Sequence, residues 1–136
     1  MTLRLKFALL AVSFHCLVGC GSATAPAEGG TTGILKFGAN VTSDIVVTVH
    51  QQNGGQFSAI GFGTTIQDGS FILYKPGATE PLWLEPGEYV FSLESIGPPI
   101  QIPAEYQKAE STPLKITWTS DMKSLNLEAP EKLLNQ

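Results

Sequence analysis

What most constrains this chain is punctuation: from Gly33 onward its apolar residues fall in short runs rich in β-branched and aromatic side chains, each closed by turn chemistry before a helical period can establish itself. ILKF at 34–37 reads as a first strand. DIVVTVHQ at 44–51 alternates Ile45, Val47 and Val49 on one face with Val46, Thr48 and His50 on the other. Asn53-Gly54-Gly55 is a hairpin signal, and QFSAIGFG at 56–63 is a strand weakened by two glycines. Asp68-Gly69 leads into SFILYK at 70–75. Pro86-Gly87 separates PLWL at 81–84 from EYVFSLES at 88–95, which aligns Tyr89, Phe91 and Leu93. PLKITWT at 113–119 turns Leu114, Ile116 and Trp118 inward, and MKSLNLE at 122–128 completes the set. Such a series predicts an all-β fold, an antiparallel β-sandwich of seven or eight strands over 33–128, with 129–136 as a C-terminal tail.

The turns have physical roles of their own. Gly69 and Gly87 stand where hairpin turns need φ > 0, and Asp68 can bond nearby backbone N–H groups. Asp68, Gly69, Pro86 and Gly87 are therefore expected to set register. A calcium site at Asp68 is disfavoured, because a hard cation needs six to eight oxygens and no other carboxylate lies within ten residues. The longest irregular piece, SIGPPIQIPAEYQKAEST at 95–112, holds Pro98, Pro99 and Pro103, which cannot donate to a ladder. It is expected to cover a sheet edge in preference to serving as a functional loop.

Ahead of the sandwich, Arg4 and Lys6 precede an apolar run from Phe7 to Gly19. This is the layout of a secretory leader. A helix of that length is about 20 Å long, short of the roughly 30 Å hydrocarbon core that a permanent span must cross. Leu17, Val18, Gly19 and Cys20 resemble the lipobox of bacterial lipoproteins, in which the cysteine becomes the acylated mature N-terminus. The competing Ala23-Thr24-Ala25 site would place Pro26 after the cut, where its ring and missing N–H fit an extended protease groove poorly. A cut after Ala27 escapes that objection but lies further from the apolar run. A Cys16–Cys20 disulfide is the remaining use of the two cysteines, and every candidate cut removes Cys16. The expectation is a signal peptide over 1–19 and a lipidated tether over 20–32, rich in Gly, Ser, Ala and Thr. Gly21 stands where an aspartate retains well-studied lipoproteins at the inner membrane, so the outer membrane of a cell envelope is favoured.

Removing the leader takes Arg4 and Lys6 with it, leaving six lysines, no arginine and twelve acidic residues. Such a chain lacks the cationic footprint that phosphate backbones require, so nucleic acid is not an expected partner. Catalytic chemistry is equally thin. His50 is the one histidine of the mature chain, and Asp44, six residues before it, would lie roughly 20 Å away along an extended strand. His50 is accordingly read as a solvent-facing strand residue, not as the base of a triad. A single histidine cannot anchor a zinc set, and no metal or cofactor is implied. Glu85 with Glu88, and Glu105 with Glu110, are candidate acid–base pairs only by the chance proximity of surface carboxylates.

Three stretches, QDGSFIL at 67–73, LEPGEYVFSL at 84–93 and IPAEYQKAESTPLKIT at 102–117 followed by LNLEAP, together resemble a known family. They are similar to small lipoproteins of planctomycete-type bacteria that carry a carboxypeptidase regulatory-like, or transthyretin-like, β-sandwich. In that family a D-G-x-F turn opens one strand, a P-G-x-Y turn opens another, and I-P-x-x-Y precedes an S/T-x-L strand. Here these are Asp68 to Phe71, Pro86 to Tyr89, and Ile102 to Tyr106 ahead of Thr112 to Leu114. The family's usual G-x-P-x-x-G-A opening is replaced by FGANVTSDIVV. The resemblance implies a seven-stranded sandwich without known catalysis, used as an accessory or adhesion-like module. The expected function is non-catalytic docking of an envelope protein by a membrane-anchored domain, through a sheet edge or the Pro-rich loop. Glycan binding by an exposed tryptophan is the alternative, and a hydrolase a remote one. Trp83, Tyr106 and Trp118 are the candidate ligand contacts, with burial in the core the competing use of both tryptophans.

Overall fold

A computed structural model describes residues 29–97 and 100–134. Seven strands form: β1 (Thr32–Phe37), β2 (Ile45–Asn53), β3 (Gln56–Thr64), β4 (Ser70–Ile72), β5 (Gly87–Ser95), β6 (Lys115–Trp118) and β7 (Leu125–Ala129). They divide into a three-stranded sheet of order β4-β1-β7 and a four-stranded sheet of order β3-β2-β5-β6. The chain is an all-β sandwich. The period-2 pattern explains its core: Ile45, Val47 and Val49 of β2 and Phe91 and Leu93 of β5 face Leu35 and Phe37 of β1 and Leu125 and Leu127 of β7.

One pairing departs from a purely antiparallel arrangement. β1 and β7 run parallel, with Leu35 opposite Leu127 and Phe37 opposite Ala129. First and last strands can pair this way because the whole domain serves as their crossover connection.

PLWL is not a ladder strand. Pro81 makes an isolated bridge to Tyr74, and the backbone groups of the segment go elsewhere: the Leu82 N–H donates to the Leu73 carbonyl, the Leu82 carbonyl accepts from the Thr31 N–H, and the Leu84 N–H donates to Thr31 Oγ1. That pairing draws Thr31 into the core, so the packed domain begins ahead of residue 33. It also continues past 128. Ala129 completes β7, and Leu133, on a 3₁₀ turn over Glu131–Leu134, is 1% exposed. The leader, the lipobox residues Leu17, Val18 and Gly19, Cys20, the tether as far as residue 28, and Pro98-Pro99 lie outside the described residues.

The two sheets join on one side. β4 runs on into a bridge in which Phe62 of β3 and Tyr74 exchange backbone hydrogen bonds of 2.8 and 3.0 Å. This seam explains the two glycines of β3. A Cβ on Gly61 would lie 2.4 Å from the Tyr74 carbonyl oxygen, and one on Gly63 would lie 2.5 Å from that of Ile72. Only a bare backbone admits such close approach.

The Pro-rich loop takes the covering role. β6 pairs with β5 only from Gly87 to Val90, and beyond it Thr112 Oγ1 donates to the Phe91 carbonyl while Phe91 N–H donates to Leu114. A 3₁₀ turn over Ala104–Gln107 then packs Tyr106, with Ile102, into the core cluster.

Candidate functional site

The turn residues act within the backbone. Asp68 Oδ1 accepts hydrogen bonds from Ser70 N–H at 2.9 Å and Ser70 Oγ at 2.6 Å, and these hold its carboxyl below the usual range. Gly69 has φ +78°, and its N–H donates to Ile66. Gly87 differs from the reading of it as a hairpin glycine: its φ is not positive, and it is the first residue of β5, opposite Trp118. Pro86 is exposed on the approach to that strand.

The three candidate aromatic contacts separate. Trp83 is 65% exposed, because the inward turn of Leu82 and Leu84 leaves it on the outside of an extended segment. Trp118 is 8% exposed and belongs to the core cluster. Both reach one groove of about 520 Å³, where Leu84, Pro86 and Met122 form an apolar floor and Thr32, Glu85, Ser120 and Lys123 a polar rim. Trp83 is thus the exposed indole of that groove and Trp118 the buried one. Tyr106 lies elsewhere, 5% exposed in the loop that covers β5, so its ring meets the core and not a ligand. Burial raises its hydroxyl pKa.

A second groove, which the sequence did not signal, follows the β3–β4 seam. It encloses about 320 Å³ between Phe62, Ile66, Phe71, Ile72, Tyr74 and Ala78. Ile66 is 61% exposed and Ile72 also stands out, so the surface is apolar where strand alternation would place polar residues. The two grooves are neighbours: Thr32 lines one, Ile72 the other, and these residues are cross-strand partners in β1 and β4.

His50 is not simply solvent-facing. It is half-buried on the outer face of β2, with Nε2 2.8 Å from Ser92 Oγ of β5. The register sets Val90 opposite His50, which makes Ser92 its diagonal neighbour. Burial lowers the His50 pKa, and the Glu110 carboxylate partly opposes that shift. Asp44 plays no part, since it precedes β2 in a left-handed conformation of φ +62°. Ser92 itself is buried, and the pair ties two central strands together. Glu85, Glu88, Glu105 and Glu110 are all exposed. Among the described residues no group of three or more His, Cys, Asp or Glu side chains gathers as a metal set.

Comparison with protein-family models, with curated proteins and with solved structures yields no match.

Proposed function

We propose that this protein is a non-catalytic, lipid-anchored interaction module of a bacterial cell envelope, of the carboxypeptidase regulatory-like kind, which docks an envelope protein on its β3–β4 seam. The observation that carries the reading is the seam groove, with Ile66 and Ile72 held outward between half-buried Phe62 and Tyr74. The Pro-rich loop turns Ile102 and Tyr106 inward and leaves Ile96 exposed at its start, whereas at the seam two exposed side chains, Ile66 and Ile72, share one groove. Seven strands in two sheets match what the family resemblance implies. The lipobox supplies the anchor, and an acidic mature chain without arginine favours protein over nucleic acid. A photo-crosslinker at position 66, used in the native envelope, tests the docking. A discrete protein adduct from position 66, suppressed by Ile72→Glu and not formed from a probe at exposed Asn126 on β7, is the expected result. Equal adducts from both positions would remove the seam as the docking surface.

A further inference from the structure

Trp83 is left over by that reading: it lines the neighbouring groove, and it is the largest exposed apolar side chain among the described residues. We infer that its indole lies in the headgroup region of the membrane that carries the protein, where it fixes the orientation of the domain. The inference rests on the reading of Cys20 as the acylated residue.

The first argument is reach. Gly29 sits directly on the Trp83 ring, since a Cβ at Gly29 would lie 3.1 Å from Cζ2. Residues 21–28 are all that separates Gly29 from Cys20. At no more than about 3.3–3.6 Å per residue, that length holds the ring within roughly 30 Å of the acyl attachment. Among the exposed apolar side chains, Trp83 packs on Gly29 and Ile72 beside Gly30, nine and ten positions from Cys20, and Trp83 is the larger and the more exposed of the two.

The second argument is chemistry. An indole has an apolar body and one N–H, and it collects at the membrane–water boundary where each part is satisfied. Leu84, Pro86 and Met122 extend the apolar surface beside Trp83, and Lys123 on the rim offers a cation to phosphate headgroups. A glycan could stack on the same ring, but the position beside the tether favours lipid.

The third argument is consequence. An acyl anchor fixes where a domain sits and not how it is turned. With the Thr31 end of β1 toward the bilayer, Ile72, opposite Thr32, marks the membrane-side end of the docking groove. Ile66, whose N–H bonds Ser70 opposite Ile34, lies about two residues, or roughly 7 Å, farther out along the strand.

The test uses the acylated protein purified from membranes and placed on vesicles of phosphatidylethanolamine and phosphatidylglycerol, with and without bromine on the upper acyl chain. Flotation and intact mass read the anchor, and tryptophan emission reads Trp83. The expected result is emission quenched by brominated lipid in the wild type and unquenched in Trp83→Phe, where buried Trp118 is the remaining fluorophore. Protein that floats but is not quenched overturns the inference and leaves the anchor standing, as does quenching that persists in Trp83→Phe. Emission from Trp83 that answers only to soluble peptidoglycan fragments also overturns it, in favour of a glycan. A chain that neither floats nor carries acyl groups removes the anchor, and the inference with it.

Discussion

The Tyr89 hydroxyl donates a 2.8 Å hydrogen bond to the carbonyl of Glu85, four residues upstream, across the Pro86-Gly87 approach to β5. This is the geometry of the tyrosine corner of Greek-key sandwiches, in which a tyrosine near the start of a strand bonds back to the preceding backbone. It gives the P-G-x-Y sequence a physical meaning that rests on the tyrosine, because a Cβ on Gly87 would meet the Tyr89 ring at an ordinary 3.8 Å. Tyr89→Phe is expected to cost about 1–2 kcal/mol, the worth of one hydrogen bond plus the carbonyl left unpaired. Gly87→Ala should cost clearly less. Urea midpoints with unchanged slopes measure both, and a larger loss in Gly87→Ala would return the motif to its glycine.

The seam that joins the sheets depends on the absence of side chains at two positions. Gly61→Ala or Gly63→Ala drives a Cβ into a backbone oxygen that cannot rotate away, so β3 and the Ile72–Tyr74 segment must part. Each is expected to lose about 1–3 kcal/mol, as overpacked sites do. Hydrogen exchange at the Phe62 and Tyr74 amides, which pair across the seam, should accelerate locally in both variants. Protection equal to the wild type would show that the seam tolerates the methyl.

Much of this fold was legible because strand alternation is a local signal. The pattern around Ile45, Val47 and Val49 specified β2 and its buried face, whereas the four-residue PLWL run was too short to separate core from surface for Trp83, which the structure leaves exposed. What escaped depends on partners distant in sequence. Thr31 has the composition of a tether, and its burial follows from hydrogen bonds to Leu82 and Leu84, some fifty residues on. The parallel β1–β7 pair, the His50–Ser92 contact and the seam beside Gly61 arise in the same way from long-range pairing. Leu133 was read as tail because a single turn after a proline has no period to recognise.

The His50 environment makes stability depend on mild acid. Burial holds the folded-state pKa below the ordinary 6.5, so the unfolded chain takes up the proton first as pH falls. The stabilising contribution is therefore complete above pH 6.5 and declines as pH drops through that value toward the folded pKa. His50→Gln, which can still bond Ser92, should flatten this part of the profile. Thermal midpoints between pH 7.5 and 5 provide the check, and identical slopes in the two proteins would assign the dependence to other groups.

The lipobox reading makes a mass prediction. The mature protein should begin at Cys20 and carry acyl chains, two or more being needed for stable retention on a bilayer. Cys20→Ser should leave the chain unacylated and out of the membrane fraction. A mature N-terminus at Pro26 or Glu28 in the wild type would replace the anchor with secretion.

Ile66 separates docking from folding. It follows the buried Thr65, whose hydroxyl accepts from the Ile45 N–H, and its own N–H bonds Ser70, so the backbone there is fixed while the side chain projects into water. Ile66→Glu should therefore leave stability within about 0.5 kcal/mol, as surface substitutions do. A buried interface charge without a counterion is costly, so the same change should lower partner capture about tenfold or more. Ile72→Glu, across the groove, should act alike, and the double variant should add little, because one unpaired charge already opens the contact to water. Quantitative crosslinking yields from position 74 would measure the loss. Unchanged yield in both single variants would mean that the partner binds another face and that the apolar seam serves the fold alone.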